Sequence, residues 1–259
     1  MKVGLFGFGK AGKAVATILL QREDAHLCWV IRKSTILQHR SVPEFLGITS
    51  EEPGLIFSKD EWPPHQLFDE HPVDTIIDFS SAEAILSYGG EAAKRGITIV
   101  SAISEYPTKT ITFLQKLARK TRVLWSPNIT IGVNFMMLAA KILKNIAPYT
   151  DIVVVEEHFK TKKEVSGTAR KIAQALSLEE ELIKSIRAGG IIGRHEVIFG
   201  FPYQTVRMIH EAISREAFGN GALFAAQNLI DKAKGLYSME DMDCTPMTGQ
   251  IGLGESGQV

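Results

Sequence analysis

The sequence predicts an α/β protein. An N-terminal doubly wound parallel sheet is followed by a C-terminal α+β domain with a mixed or antiparallel sheet. Three observations predict this. Short apolar runs alternate with amphipathic stretches through the first third of the chain, the pattern of strand–helix–strand units. A glycine-rich turn, GFGKAG at 7–12, separates the first apolar run from the first amphipathic stretch. Further on, RHEVIFGF (194–201) and QTVRMIHEAI (204–213) lie close together, and a short turn between two such runs pairs them antiparallel.

The elements follow in order. KVGLFGF (2–8) is apolar and ends in glycines, so it reads as a buried strand. Residues 10–23 place apolar side chains at helical spacing. AHLCWVI (25–31) and VDTIIDFS (73–80) are further strands, and Ser81 is expected to cap the helix that Gly96 closes. ITIVSAI (97–103) and RVLWSP (122–127) are strands flanking a helix that begins near Pro107. Residues 32–72 are turn-rich, and little regular structure is assigned to them. After SPNITIGVN (126–134) come a long apolar helix over roughly 133–147, the strand DIVVVEEHF (151–159), the two long strands, and a helix over 215–233 with Gly219 and Gly221 near its start. The expected division is a first domain over 1–128 and a second over 129–234. The segment 235–259 is expected to pack back on the first domain, and its polar, glycine-rich end (244–259) has no evident role.

Composition narrows the function classes. A hydrophobic fraction of 45% and a charged fraction of 22% are those of an ordinary globular protein. The formal net charge is zero, so no global attraction to nucleic acid or to an acidic membrane is expected. No uncharged apolar run reaches a membrane-spanning length, and the start of the chain is too glycine-rich for a secretory segment. Cys28 and Cys244 lie far apart and match no metal-ligand spacing. They suggest free thiols in a reducing cytoplasm, and no metal site is expected.

The glycine turn carries the first chemistry. In a G-x-G-x-x-G between strand and helix, Gly7 permits the tight turn, Gly9 lets backbone approach a pyrophosphate, and Gly12 lets helix and strand pack closely. Phe8, Lys10 and Ala11 complete the loop, and the helix start offers free N–H groups to phosphate. This is a Rossmann-type nucleotide-binding unit. The end of the second strand reads VIRKS. It has no acid to hold a ribose 2′-hydroxyl, but Arg32, Lys33 and Ser34 suit a 2′-phosphate. NADPH is therefore favoured, with NADH possible.

The second chemistry lies in EEHFKTKKEVSGTAR (156–170). His158 ends a strand, Lys160, Lys162 and Lys163 follow, and Ser166-Gly167-Thr168 opens a helix, with Ser166 a plausible cap. Such a set is a receptor for a small dianion. The blocks GFGKAG, DFS (78–80), SPNITIGVN, EEHFKTKKEVSGTA, IRAGGIIGRHEVIFGF (186–201), SREAFGNGALFAA (214–226) and GLYSMEDM (235–242) occur in an order that resembles the dihydrodipicolinate reductase family over residues 1 to about 242. The resemblance implies hydride transfer from NAD(P)H to a cyclic imine bearing two carboxylates, in lysine and diaminopimelate biosynthesis, by a homotetramer. It implies that His158 is the general acid and Lys162 the catalytic lysine. Gly167 and Thr168, with Ser166 and Phe159, would hold the substrate. Phe79, Ser80, Ser101, Ala102, Ile103, Ser126, Pro127, Asn128 and Ile129 would line the cofactor site.

The sequence also departs from the family pattern. Phe159 replaces the second of two adjacent histidines, SAIS (101–104) replaces Thr-Thr-Gly, and VSGT lacks the usual proline. The stretch between Thr168 and Arg187 is short, and the glycine loop has the shorter general dehydrogenase spacing. A paralogue reducing another imine, or a cofactor-binding protein without catalysis, therefore stand as alternatives. Of the remaining polar residues, Glu156 and Glu157 are expected to be solvated and Asp78 to serve a local turn. His195 and His210 read as structural or exposed, and His26, His39, His65 and His71 lie in or near loops with no partner motif.

Overall fold

The structure is a computed structural model that describes residues 1–242. Cys244 and the tail 244–259 lie outside the described residues. In chain order the first part holds β1 (Lys2–Phe6), α1 (Lys10–Leu20), β2 (His26–Arg32), α2 (Val42–Leu46), β3 (Leu55–Ser58), α3 (Pro64–Glu70), β4 (Thr75–Asp78), α4 (Ala84–Lys94), β5 (Thr98–Ser101), α5 (Thr108–Ala118) and β6 (Arg122–Trp125). There follow α6 (Ile131–Ile146), β7 (Asp151–His158), α7 (Gly167–Ala175), β8 (Ile183–Arg187), β9 (Arg194–Gly200), β10 (Thr205–Glu211), α8 (Glu216–Leu229) and β11 (Gly235–Tyr237).

Among the described residues the first sheet has seven strands, all parallel, in the order β11-β6-β5-β4-β1-β2-β3. The strand order reverses between β1 and β4, which leaves a crevice at their carboxyl ends where ligands bind in such sheets. β4 (TIID) and β5 (TIVS) are buried at every position, as helices on both faces require. α1 buries Gly12, Val15, Ala16 and Leu19, one stripe at helical spacing. That stripe shares its core with Val3, Leu5 and Val30. The opposite face packs Trp29, Ile76, Ile99 and Tyr88 with α3, α4 and α5.

α8 follows the second sheet in sequence yet packs on the first: Ala222, Leu223, Ala225, Ala226 and Leu229 join the core that holds α1. Two glycines permit that approach. A Cβ on Gly219 would lie 2.8 Å from Ile18 of α1, and one on Gly221 would lie 1.9 Å from the Ile129 carbonyl. β11 then adds a parallel strand beside β6.

The second sheet runs β10-β9-β7-β8. β9 is antiparallel to both β7 and β10, while β8 is parallel to β7, so the sheet is mixed. β7 alternates buried with exposed or half-buried residues, because α6 and α7 cover one face only. Val133, Met136, Met137 and Ala140 of α6, with Ala169 and Ile172 of α7, pack there against Ile152, Val154, Val197 and Phe199.

Three local expectations change. Residues 32–72 hold α2, β3 and α3, elements of four to seven residues, too short for their periodicity to show in sequence. α4 begins at Ala84, preceded by Glu83 rather than capped by Ser81; the Ser81 carbonyl instead accepts from the Ala84 N–H at 3.2 Å. β8 has no counterpart in the sequence reading, since three of its five residues are exposed.

Candidate active site

The glycine loop has the geometry a pyrophosphate needs. Gly7 sits at φ +97°, and a Cβ there would lie 2.6 Å from the Phe79 carbonyl. A Cβ on Gly12 would lie 2.0 Å from the Gly7 carbonyl oxygen, so helix and turn meet only through glycine. Gly9 faces open space, with no atom within 4 Å of its Cβ position. It stands at the N-cap of α1, whose first-turn N–H groups lack helical partners. Lys10 is exposed and Ala11 half-buried. Phe8 is buried in the core, so it contributes backbone and not its ring.

The end of β2 is also suited to an anion. Arg32 donates from Nη1 to the Ile36 carbonyl at 2.6 Å, which folds the following loop beside it. Lys33 is exposed. The Ser34 hydroxyl is buried and has no hydrogen-bond partner among the described residues. An orphaned hydroxyl beside two cations, together with the open cradle at Gly9, fits a nicotinamide dinucleotide.

The floor of the crevice comes from three parallel strand ends. Asp78 is fully buried. It accepts from the Ser80 N–H (2.8 Å), the Ser80 hydroxyl (2.5 Å) and the Tyr88 hydroxyl (2.8 Å), so its role extends beyond a local turn. Burial pushes its carboxyl up, and these donors oppose the rise. Phe79 is half-buried and Ser80 exposed. Ser101 shares a hydrogen bond with Tyr106 at 2.7 Å. Ala102 packs on one core and Ile103 on the other, and the Ile103 carbonyl accepts from the Trp125 indole at 2.8 Å. The Ser126 hydroxyl donates to the Asn128 carbonyl at 2.8 Å, which tightens the turn after β6.

Beside that turn lies a cavity of about 110 Å³ lined by Pro127, Asn128, Ile129, His158, Thr168 and His195, among others. It joins the two halves of the expected site. A second cavity of about 230 Å³ lies on the other side of Pro127 and Asn128, with Ser126, Lys141, Lys171 and Glu240 in its wall. Burial lowers the Lys171 ammonium, which stands 5.8 Å from the Trp125 ring.

His158 is buried and bonds through Nδ1 to Glu156. Burial lowers its ring, Glu156 opposes this, and Lys162 and Arg187 add to the lowering. Lys162 is half-buried, and Lys160, Lys163 and Phe159 are exposed. Gly167 and Thr168 open α7, and the Thr168 hydroxyl donates to Asn128 Oδ1 at 2.7 Å.

Three expectations about single residues are corrected here, those for Ser166, Glu156 and Glu157. Ser166 occupies the N-cap but makes no side-chain cap; its hydroxyl bonds His195 Nε2 at 3.0 Å instead. Glu156 is not solvated but fully buried. Its partners are His158, Arg187 (2.6 Å) and Ser185 (2.5 Å). Glu157 pairs with Arg194. His195 is buried in the cavity wall, where burial and the neighbouring His158 and His210 push it down to about 3. Sequence carried one clue to Glu156: residues two apart on a strand share a face. Among the described residues no cluster of histidines, cysteines and carboxylates is arranged to hold a metal ion. No described helix is long and apolar enough to cross a membrane.

Comparison with known proteins agrees across the chain. Residues 1–129 match the model of the dihydrodipicolinate reductase N-terminus, and residues 129–242 match that of its C-terminus. The 4-hydroxy-tetrahydrodipicolinate reductase of Caldanaerobacter subterraneus subsp. tengcongensis is 35% identical, covering 90% of this chain and 94% of that protein. The enzyme of that name from Thermosipho africanus is 32% identical, covering 93% and 97%. A dipicolinate-bound dihydrodipicolinate reductase structure from Paenisporosarcina sp. TG-14 has the same fold, with a TM-score of 0.77 at 20% identity, covering 94% and 99% of the two chains.

Proposed function

The chain belongs to the dihydrodipicolinate reductase family of nicotinamide-dependent oxidoreductases, and from that premise we propose that it reduces 4-hydroxy-tetrahydrodipicolinate to tetrahydrodipicolinate in lysine and diaminopimelate biosynthesis. The cavity carries this reading. It is lined by Asn128, at the end of the nucleotide-binding part, and by His158 and Thr168 of the second domain.

Bound nicotinamide supplies the hydride. The protein supplies orientation and the balancing proton. His158 ends β7 with Nδ1 on Glu156, which leaves Nε2 for the substrate, and it acts as general acid. Lys162 adds positive charge beside it where negative charge builds during reduction. The start of α7 presents the backbone N–H groups of Gly167 and Thr168 to a carboxylate, and the Thr168 hydroxyl, which donates to Asn128 Oδ1, fixes that turn beside Asn128. Phe159, 39% exposed, offers an apolar edge in place of a second histidine. NADPH is the proposed cofactor, held by Gly7, Gly9, Gly12, Arg32 and Lys33, with Ser34 available to its 2′-phosphate.

A cytoplasmic homotetramer is the proposed assembly. Ile131, Phe135, Leu138, Ile142 and Ile146 form an exposed stripe on α6. An apolar stripe of this kind marks a protein interface, and Ile186 and Ile209 on the second sheet are also exposed.

The test is NADPH oxidation with substrate generated in place by the upstream synthase. Turnover is expected in the parent protein. His158→Ala and Lys162→Ala are each expected to cut kcat roughly 10²–10⁴-fold, with little change in Tm for the half-buried Lys162 and a lower Tm for His158→Ala, which takes a donor from the buried Glu156. NADPH binding without turnover in the parent protein would move the assignment to another imine or to a non-catalytic binder.

A further inference from the structure

Glu156 precedes His158 by two residues on β7, so both side chains point to the covered face of the sheet. An unpartnered carboxylate could not stay ionised there. Glu156 has four donors. One oxygen takes Nδ1 of His158; the other takes Arg187 Nη2 at 2.6 Å, the Ser185 hydroxyl at 2.5 Å and the Ser166 N–H at 3.4 Å. Burial alone would raise its carboxyl, but Arg187, Ser185 and His158 outweigh that and hold it at about 2.

Arg187 lies on β8, in register with His158 across the parallel pair. The same guanidinium donates from Nε to the Lys162 carbonyl at 2.9 Å and from Nη2 to the Glu164 carbonyl at 2.9 Å. One side chain therefore joins the buried carboxylate behind His158 to the loop that carries Lys162. On the other side of the ring, a Cβ at Gly193 would lie 3.2 Å from Nε2 of His158. Gly193 lines the cavity, so its lack of a side chain keeps that nitrogen accessible.

We propose that Glu156 and Arg187 are positioning residues for the proton transfer. Glu156 holds His158 with a proton on Nδ1 and Nε2 directed to the cavity, and Arg187 keeps the Lys162 loop in register with it. This rests on His158 being the proton donor. The groups facing the His158 ring are Glu156 on its own strand, Lys162 on the following loop, Arg187 on β8 and His195 on β9. His195 stands 5.3 Å away between ring centroids, with His210 of β10 6.5 Å beyond it. Of these, only Glu156 favours the imidazolium.

Two measurements test the assignment. ¹⁵N spectra of histidine-labelled protein, with His158 identified from the His158→Ala difference, are expected to show neutral His158 protonated on Nδ1. Protonation on Nε2 would overturn the proposal even if every Glu156 variant fails to fold. In Glu156→Gln, kcat is expected to fall about 10²-fold or more with KM little changed. The basic limb of kcat/KM is expected to move to lower pH, because imidazolium loses its carboxylate, and Glu156→Asp should restore part of the rate. A folded Gln variant with normal kcat and an unmoved limb would reduce Glu156 to a structural ion pair. Full turnover in His158→Ala would instead remove His158 as proton donor.

Discussion

The Thr168 hydroxyl donates to the side-chain carbonyl of Asn128 at 2.7 Å. That bond ties the start of α7 to the turn that ends the nucleotide-binding sheet. Asn128 Nδ2 is buried and has no partner among the described residues. It is therefore a donor without an acceptor in the wall of a cavity assigned to a dicarboxylate. Asn128→Ala is expected to raise the substrate KM by up to about tenfold, the value of one hydrogen bond. Asn128→Asp should be worse, because it sets an anion against an anion. Equal KM values for the two variants would remove the electrostatic part of the argument.

Gly9 and Gly12 separate binding from folding. Gly12→Ala drives a methyl into the Gly7 carbonyl and should cost about 1–3 kcal/mol, seen as a drop of several degrees in Tm. Gly9→Ala meets nothing, so its Tm should hold while NADPH affinity, by calorimetry, falls more than tenfold. A Gly9→Ala protein that binds NADPH normally would mean that the pyrophosphate does not cross this turn.

Cofactor preference should reside in Arg32 and Lys33. Replacing both with Gln is expected to weaken NADPH roughly tenfold or more, the scale of one charged hydrogen bond, and to leave NADH within a factor of about two. Parent protein that binds the two cofactors equally would contradict the assignment.

Two buried groups are expected to contribute most to the response to acid, with His158 and His210 lowered in the same direction as His195. His195 is held neutral to about 3 against an ordinary 6.5, and Glu156 is held ionised to about 2 against an ordinary 4.5. In both cases the unfolded chain binds the proton more readily. Stability is therefore full above each ordinary value and declines as pH falls toward the folded one. Each group is worth on the order of a few kcal/mol. Thermal melts should weaken first below about pH 6.5 and further below about pH 4.5. His195→Gln should flatten the upper part of that decline, and an unchanged profile in that variant would assign it to other groups.

Features confined to a few neighbouring residues were legible in the sequence. Gly7 and Gly12 announce the turn, because a side chain at either would collide with backbone. The adjacent apolar pairs Ile76-Ile77 of β4 and Ile99-Val100 of β5 announce a sheet covered on both faces. The run from His158 to Ser166-Gly167-Thr168 announces a strand end followed by a helix start, found as β7 and α7. Less was legible where elements are short or exposed, as with α2, β3, α3 and β8, since periodicity needs length and an apolar face.

The partners of each side chain were decided by the tertiary structure. Glu156 looks solvated in sequence because a carboxylate usually is; it is buried because β8 brings Arg187 and Ser185 to its side. Ser166 looks like a helix cap, but β9 offers it His195 instead. Asn128 reaches Thr168 across forty residues, and α8 returns to a core begun by α1. Sequence determines local backbone and the face a residue takes. What covers that face is set by strand register and by packing between elements distant in the chain, and that packing decides which charges are desolvated and therefore which groups work together.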